Sequence, residues 1–168
     1  LVLLPEIGIS SRGEVGSVLV FGNMPLEKMT SIALPTDSAT SVQLLRYLLQ
    51  KRDLTPRLEL MGPDLESMLD ACDGALLIGD RALEGAKESP SSVQLDLGMD
   101  WLKFTQKPMV FGVFAARRDT PVESLRIAQG LLTDNLRLFE QSQERRRSVI
   151  QWAQSRSELD YERLDRYF

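Results

Sequence analysis

The stretch Pro35-Thr36-Asp37-Ser38-Ala39-Thr40-Ser41 lies between a short apolar run and a helical pattern. A strand end feeding a hydroxyl-rich turn at a helix start presents free backbone N–H groups, hydroxyl donors and the positive end of a helix dipole. That combination suits a carboxylate or phosphate. Serine, threonine and aspartate are also the ordinary helix caps, so capping alone accounts for the same residues. The stretch lacks the glycines and lysine of a P-loop, which argues against a nucleotide. A second candidate is Ala75-Leu76-Leu77-Ile78-Gly79-Asp80, an apolar run closing on Gly-Asp. In open parallel sheets ligands sit outside the carboxyl ends of the strands. Gly79 lets a ligand approach the backbone there, while Asp80 either accepts a hydroxyl proton or caps the next helix. Gly8-Ile9-Ser10-Ser11-Arg12-Gly13 reads as a small-residue turn with two hydroxyls. Phe111 and Phe114, three apart in the apolar run Met109 to Ala115, are core residues first and an aromatic lining second. The same core-first reading applies to Trp101 and Trp152.

Other chemistries are closed to these 168 residues. There is no histidine, so neither a hydrolytic triad nor a histidine-bound metal can be assembled from them. The single cysteine, Cys72, cannot form an internal disulfide and fits a reducing compartment. It lies on an apolar helical stripe and is expected to be buried and inert. Twenty lysines and arginines against 24 acidic residues give a net charge of -4, a poor match to nucleic acid. No apolar run approaches the ~20 residues of a membrane span. The chain opens on Leu1-Val2-Leu3-Leu4 without a methionine, as a strand already under way, so a longer protein with a signal peptide or histidine upstream is compatible with it.

Short apolar runs alternating with helical patterns predict an α/β fold. The expected strands are Leu1 to Leu4, Ser17 to Phe21, Ile32 to Leu34, Leu58 to Met61, Ala75 to Ile78, Val93 to Leu95 and Met109 to Ala115. Helical stripes run through Val42, Leu45, Leu48 and Leu49, and through Leu65, Met68, Leu69 and Cys72, the latter started by Pro63-Asp64 and stopped by Gly74. A shorter helix is expected after Gly98. At Thr120 the character turns helical: Thr120-Pro121-Val122-Glu123 carries a capping-box pattern with proline at the first position. Two or three helices follow. The basic run Arg145-Arg146-Arg147, flanked by acidic residues, is expected on a solvated helix face.

In joint order, several of these pieces resemble one family. They are Leu4 to Ser11, Gly16 to Phe21, Asp37 to Arg46 with its Thr40-Ser41-Val42, Ala75 to Asp80, Asp96-Leu97-Gly98, and Trp101 through Pro108 to Phe111. The resemblance, over about residues 1 to 118, is to the chorismate dehydratases of the futalosine route to menaquinone. It implies a two-lobed fold like that of type II periplasmic solute-binding proteins, followed by a helical C-terminal segment, with the ligand between the lobes. The family begins about 80 residues earlier, with an active-site asparagine in that upstream part. On this reading residues 1–22 hold first-lobe core and crossing strands, and 23–108 form the second lobe. Residues 109–168 return as a strand and helices packing on the first. A sister family making dihydroxynaphthoate matches the Gly-Asp strand end and the Trp-to-Pro segment less well. Gln106 stands where the family usually has glycine, and Gly112 and Phe114 where alanine and tryptophan are usual. These departures are expected to alter an aromatic wall.

The implied reaction removes water from chorismate to give 3-[(1-carboxyvinyl)oxy]benzoate, with the substrate's own enolpyruvyl carboxylate taking the proton and no metal or organic cofactor. Thr40 and Ser41 are then assigned to a substrate carboxylate, and Ser10 or Ser11 to hydrogen bonding near the departing hydroxyl. Ile78 and Gly79 form the floor, Asp80 beside them, and Phe111 and Phe114 face the ring or the core behind it. The expected partner is this small molecule in the cytoplasm, without nucleic acid or membrane, and a homodimer is compatible with it. A non-catalytic carboxylate receptor or sensor on the same fold is the other class, since architecture does not assign activity.

Overall fold

Strands β1 (Val2–Ser11), β2 (Val18–Gly22), β3 (Ser31–Pro35), β4 (Arg57–Met61), β5 (Gly74–Ile78), β6 (Val93–Asp96) and β7 (Met109–Ala116) carry the chain through a computed structural model that describes residues 1–157 and 159–168. The helices are α1 (Ala39–Lys51), α2 (Leu65–Ala71), α3 (Gly79–Glu88), α4 (Leu97–Thr105), α5 (Val122–Gln141), α6 (Gln143–Gln154) and α7 (Tyr161–Tyr167). The chain divides into two compact units, Arg12–Met109 and Leu1–Ser11 with Val110–Phe168.

The Arg12–Met109 unit is built on a five-stranded sheet in the order β4-β3-β5-β2-β6. β3 pairs in parallel with β4 and β5, whereas β2 runs antiparallel to both β5 and β6. Four strands therefore point one way, and α1, α2 and α3 are the crossovers that connecting parallel strands requires. Side chains alternate across the sheet. Leu19, Phe21, Ala33, Ala75 and Leu77 cluster with Met68 of α2 and Ala82 of α3 on one face. Val20, Ile32, Leu34 and Leu76 alternate with them and are equally buried. That second face falls to α1 and α4, which touch each other and bury Leu45, Leu48 and Leu97. Cys72 is buried, as expected.

Where the end of α1 meets α4 lies a buried charge. Asp100 is fully buried and receives Arg52 Nε at 2.9 Å and Nη2 at 2.5 Å. This fork holds the end of α1 against α4 and raises the Arg52 pKa, chiefly through the hydrogen bond to Asp100. At the amino edge of the sheet, Asp73 accepts from the Thr30 hydroxyl and amide and the Ser31 amide, which holds its carboxyl below the usual range.

The other unit pairs β1 with β7 in a two-stranded sheet and adds α5, α6 and α7. Among its described residues Ile150, Leu159 and Leu164 are buried, and Arg146 ties α6 to α7 by donating to Asp165 Oδ1 at 2.6 Å.

Several expectations change. β1 continues through Ser10 and Ser11, where a turn was expected. Gly8 makes this possible, because a Cβ there would lie 2.9 Å from the Gly112 carbonyl oxygen on the partner strand. β2 belongs to the five-stranded sheet, so that unit opens at Arg12 and not at residue 23. Gly98 sits inside α4, and α5 is capped by Pro121 without a Thr120 side-chain bond. Trp152 is 61% exposed, with the Arg156 guanidinium 4.3 Å from its ring centroid, and is no core residue. Trp101 is half-buried, its ring 5.7 Å from Tyr47. Arg146 is half-buried in its ion pair, while Arg145 and Arg147 are exposed.

Candidate functional site

The carboxyl ends of β3, β4, β5 and β6 share one edge of the sheet, and β2 enters from it. Each helix that follows one of these strands starts at that edge, with its first-turn N–H groups directed outward. Ser38 caps α1 by accepting from the Ser41 amide, Asp64 caps α2 from Ser67, and Asp96 caps α4 from Met99. The Ser67 hydroxyl and amide hold Asp64 below the usual carboxylate range. α3 differs, with Ile78 at its N-cap and no side-chain cap.

Asp96 does more than cap. Its carboxylate also accepts from Val15 N at 3.0 Å and Gly16 N at 2.8 Å, which pins the loop entering β2 beside the start of α4. The Gly79 amide donates to the Ser17 carbonyl at 2.7 Å, joining β5 and α3 to the same loop. Gly79 has φ +62°, a left-handed conformation, and nothing lies within 4 Å of where a Cβ would stand. Glycine is required by the backbone angle, and the space above it is open. Across the edge, Arg81 Nη1 donates to Asp37 Oδ2 at 2.7 Å and links the loop after β3 to the first turn of α3.

Thr40, Ser41, Ile78, Gly79 and Asp80 are thus brought to one sheet edge. Their individual duties differ from the expectation. The cap of α1 is Ser38, so Thr40 is left exposed in the first turn. The Ser41 amide is taken by Ser38, and its hydroxyl oxygen accepts from Ser38 Oγ at 2.9 Å, which leaves its own proton to donate. Asp80 is exposed within the first turn of α3 and caps nothing. Ser10, Ser11, Phe111 and Phe114 belong to the other unit. Ser10 and Ser11 are adjacent on β1 and so point to opposite faces; Phe111 and Phe114, three apart on β7, do likewise. Neither pair acts together on one side of its strand. Arg81 and Asp96 escaped the sequence reading as site residues because their partners, Asp37 and the Val15–Gly16 amides, lie 44 and 80 or more positions away. No group of three or more metal-ligating side chains occurs among the described residues, and no described helix is long and apolar enough to cross a membrane.

A family model described as menaquinone biosynthesis matches residues 1–168. The chain belongs to this menaquinone-biosynthesis family. It is 36% identical to the chorismate dehydratase of Thermus thermophilus over 167 aligned positions, covering 88% of this chain and 61% of that enzyme. The chain thus spans less than two thirds of that relative's length. A crystal structure of an Archaeoglobus fulgidus protein matches with a TM-score of 0.61 at 22% identity, over 95% of this chain and 60% of that one, and supports the α/β fold. In this menaquinone-biosynthesis chain, Gln106 closes α4 at φ 58°. Its amide donates to the Leu102 and Lys103 carbonyls, so this departure from the usual glycine acts on a helix end.

Proposed function

We propose that the whole protein dehydrates chorismate to 3-[(1-carboxyvinyl)oxy]benzoate, a carbon–oxygen lyase step in menaquinone biosynthesis. The observation that carries this reading is the 36% identity to a chorismate dehydratase, across a span that includes the sheet edge described above. The architecture is assigned to the type II periplasmic-binding-protein class, with Arg12–Met109 as its second lobe and the remaining described elements as part of the first. The location is cytoplasmic.

Chorismate is a dicarboxylate bearing a ring hydroxyl. The proton on its ether-bearing carbon is acidified through the diene by the ring carboxylate, so deprotonation followed by hydroxide loss is a sound order. The substrate's enolpyruvyl carboxylate takes that proton. What remains for the protein is positioning and charge stabilisation. Helix N-termini and hydroxyls at the carboxyl edge suit a substrate carboxylate, with Thr40 and the Ser41 hydroxyl as donors. Ile78 and Gly79 line the floor, Asp80 flanks it, and one of Phe111 and Phe114 faces the ring. Ser10 or Ser11 hydrogen-bonds near the departing hydroxyl.

The test is to incubate the whole protein with chorismate and follow products by chromatography and mass. Loss of water with an enolpyruvyl benzoate appearing in proportion to enzyme supports the reading; chorismate bound but recovered intact favours a receptor. Ser10→Ala, Ser11→Ala and Ser41→Ala are then compared singly. Loss of a key donor costs about 100-fold in turnover. If no serine variant falls by more than about threefold, the serine assignments are wrong.

A further inference from the structure

We propose that Arg81 is the cation that pairs with a ligand carboxylate at the carboxyl edge of the sheet, and that Asp37 holds its guanidinium ready there. This rests on the dicarboxylate reading above and adds a residue to it.

The argument begins with where the positive charges fall. The helices run away from the edge, so Lys51 and Arg52 at the end of α1, Lys87 near the end of α3 and Lys103 late in α4 lie toward the far side. Arg57 opens β4, also at the opposite edge. Arg81, in the first turn of α3, stays at the edge, and among the described cations of this unit Arg12, in the loop entering β2, is the one that the edge loops carry.

Stability does not explain an arginine at this position. A cation in a first turn opposes the helix dipole. Its ion pair is solvated, with Arg81 49% and Asp37 42% exposed, and such pairs add little to folding. The geometry is nevertheless specific, since Nη1 reaches Asp37 Oδ2 at 2.7 Å from the neighbouring strand's loop. That contact engages one N–H of a guanidinium that has five, leaving a free side for a second, bidentate carboxylate. Beside it, α3 is the helix at this edge without a side-chain cap, and the space over Gly79 is open. A ligand carboxylate there meets a pre-oriented guanidinium at the start of α3. Asp37 limits non-specific anion binding by competing for the same cation.

The experiment is steady-state kinetics of the whole protein with chorismate, alongside binding by titration calorimetry. Arg81→Gln is expected to raise KM and Kd about tenfold or more, the scale for losing a charge-assisted hydrogen bond, with kcat within about threefold. Arg81→Lys recovers part of the loss. Asp37→Asn keeps an oxygen that accepts from and orients the guanidinium but removes the competing charge, and lowers KM by about two- to fivefold. Added salt raises the KM of the unaltered protein more than that of Arg81→Gln. The melting temperatures of the variants stay within about 3 °C of the parent. An unchanged KM in Arg81→Gln overturns the proposal. So does an equal rise in Arg81→Gln and Asp37→Asn, which makes the pair a loop tether only. If the unaltered protein neither binds nor converts chorismate, the dehydratase reading fails first and this inference with it.

Discussion

In the Arg12–Met109 unit, β2 and β3 are buried at every residue. In the other unit, β7 contains no buried residue, and none of the 20 residues of α5 is buried. The difference follows from layering. A sheet covered by helices on both faces removes the side chains of its inner strands from water, as α1 and α4 on one side and α2 and α3 on the other do here for β2 and β3. In the other unit the described elements put only a two-stranded ribbon beside α5, and Ile127 and Leu131 on α5, and Val113 on β7, are more than half exposed. Similar residue types therefore carry different energetic weight in the two units.

The widest gap is between apolar truncations. Phe21→Ala, at the fully buried centre of the five-stranded sheet, is expected to cost about 3–5 kcal/mol. Leu131→Ala, 60% exposed, is expected to cost less than ~0.5 kcal/mol. Urea denaturation followed by tryptophan fluorescence measures both, and equal losses would break the comparison. Ion pairs come next. Asp100→Ala removes the buried partner of Arg52, which keeps Glu27 at 3.3 Å, and is expected to cost about 3 kcal/mol. Asp165→Ala, removing the half-exposed partner of Arg146, costs about 1 kcal/mol or less. A calorimetric ranking in the opposite order would mean that burial is not what separates the units.

The smallest effects concern two left-handed positions within the layered unit. Gly79→Ala is expected to lose about 1 kcal/mol from backbone strain alone, because the space above it is open. Gln106→Gly relieves similar strain but forfeits two side-chain bonds to the last carbonyls of α4. A net gain below ~1 kcal/mol is expected, read as a rise in melting temperature. Should Gly79→Ala prove neutral while chorismate turnover falls, the glycine serves ligand approach more than backbone geometry.

Much of the layered unit was legible from local pattern. β2 to β6 were placed to within about two residues, because apolar runs bounded by turn residues have few other solutions. The stripes through Val42 to Leu49 and Leu65 to Cys72 became α1 and α2, and Asp64 caps as Pro63-Asp64 promised. Less was legible where a residue's setting depends on a distant partner. Ser10 and Ser11 look like a turn among small residues until β7, some hundred positions later, pairs with β1. Trp152 has the composition of a core residue, yet lies on a face of α6 that no described element covers.

At the candidate site the same division holds. The hydroxyls before α1 and the Gly-Asp after β5 were visible as separate candidates, each with capping as a rival account. Their meeting at one sheet edge was not, nor was the Arg81–Asp37 link or the hold of Asp96 on Val15 and Gly16. Secondary structure, helix starts, the α/β class and the family resemblance could all be had from the chain alone, because they depend on spacing within a few residues or on ordered motifs. The strand order β4-β3-β5-β2-β6, the shared edge and the partner of each charge came only with the tertiary structure. They depend on which distant apolar faces bury one another, and burial on both sides of a sheet is a property of the assembled layers.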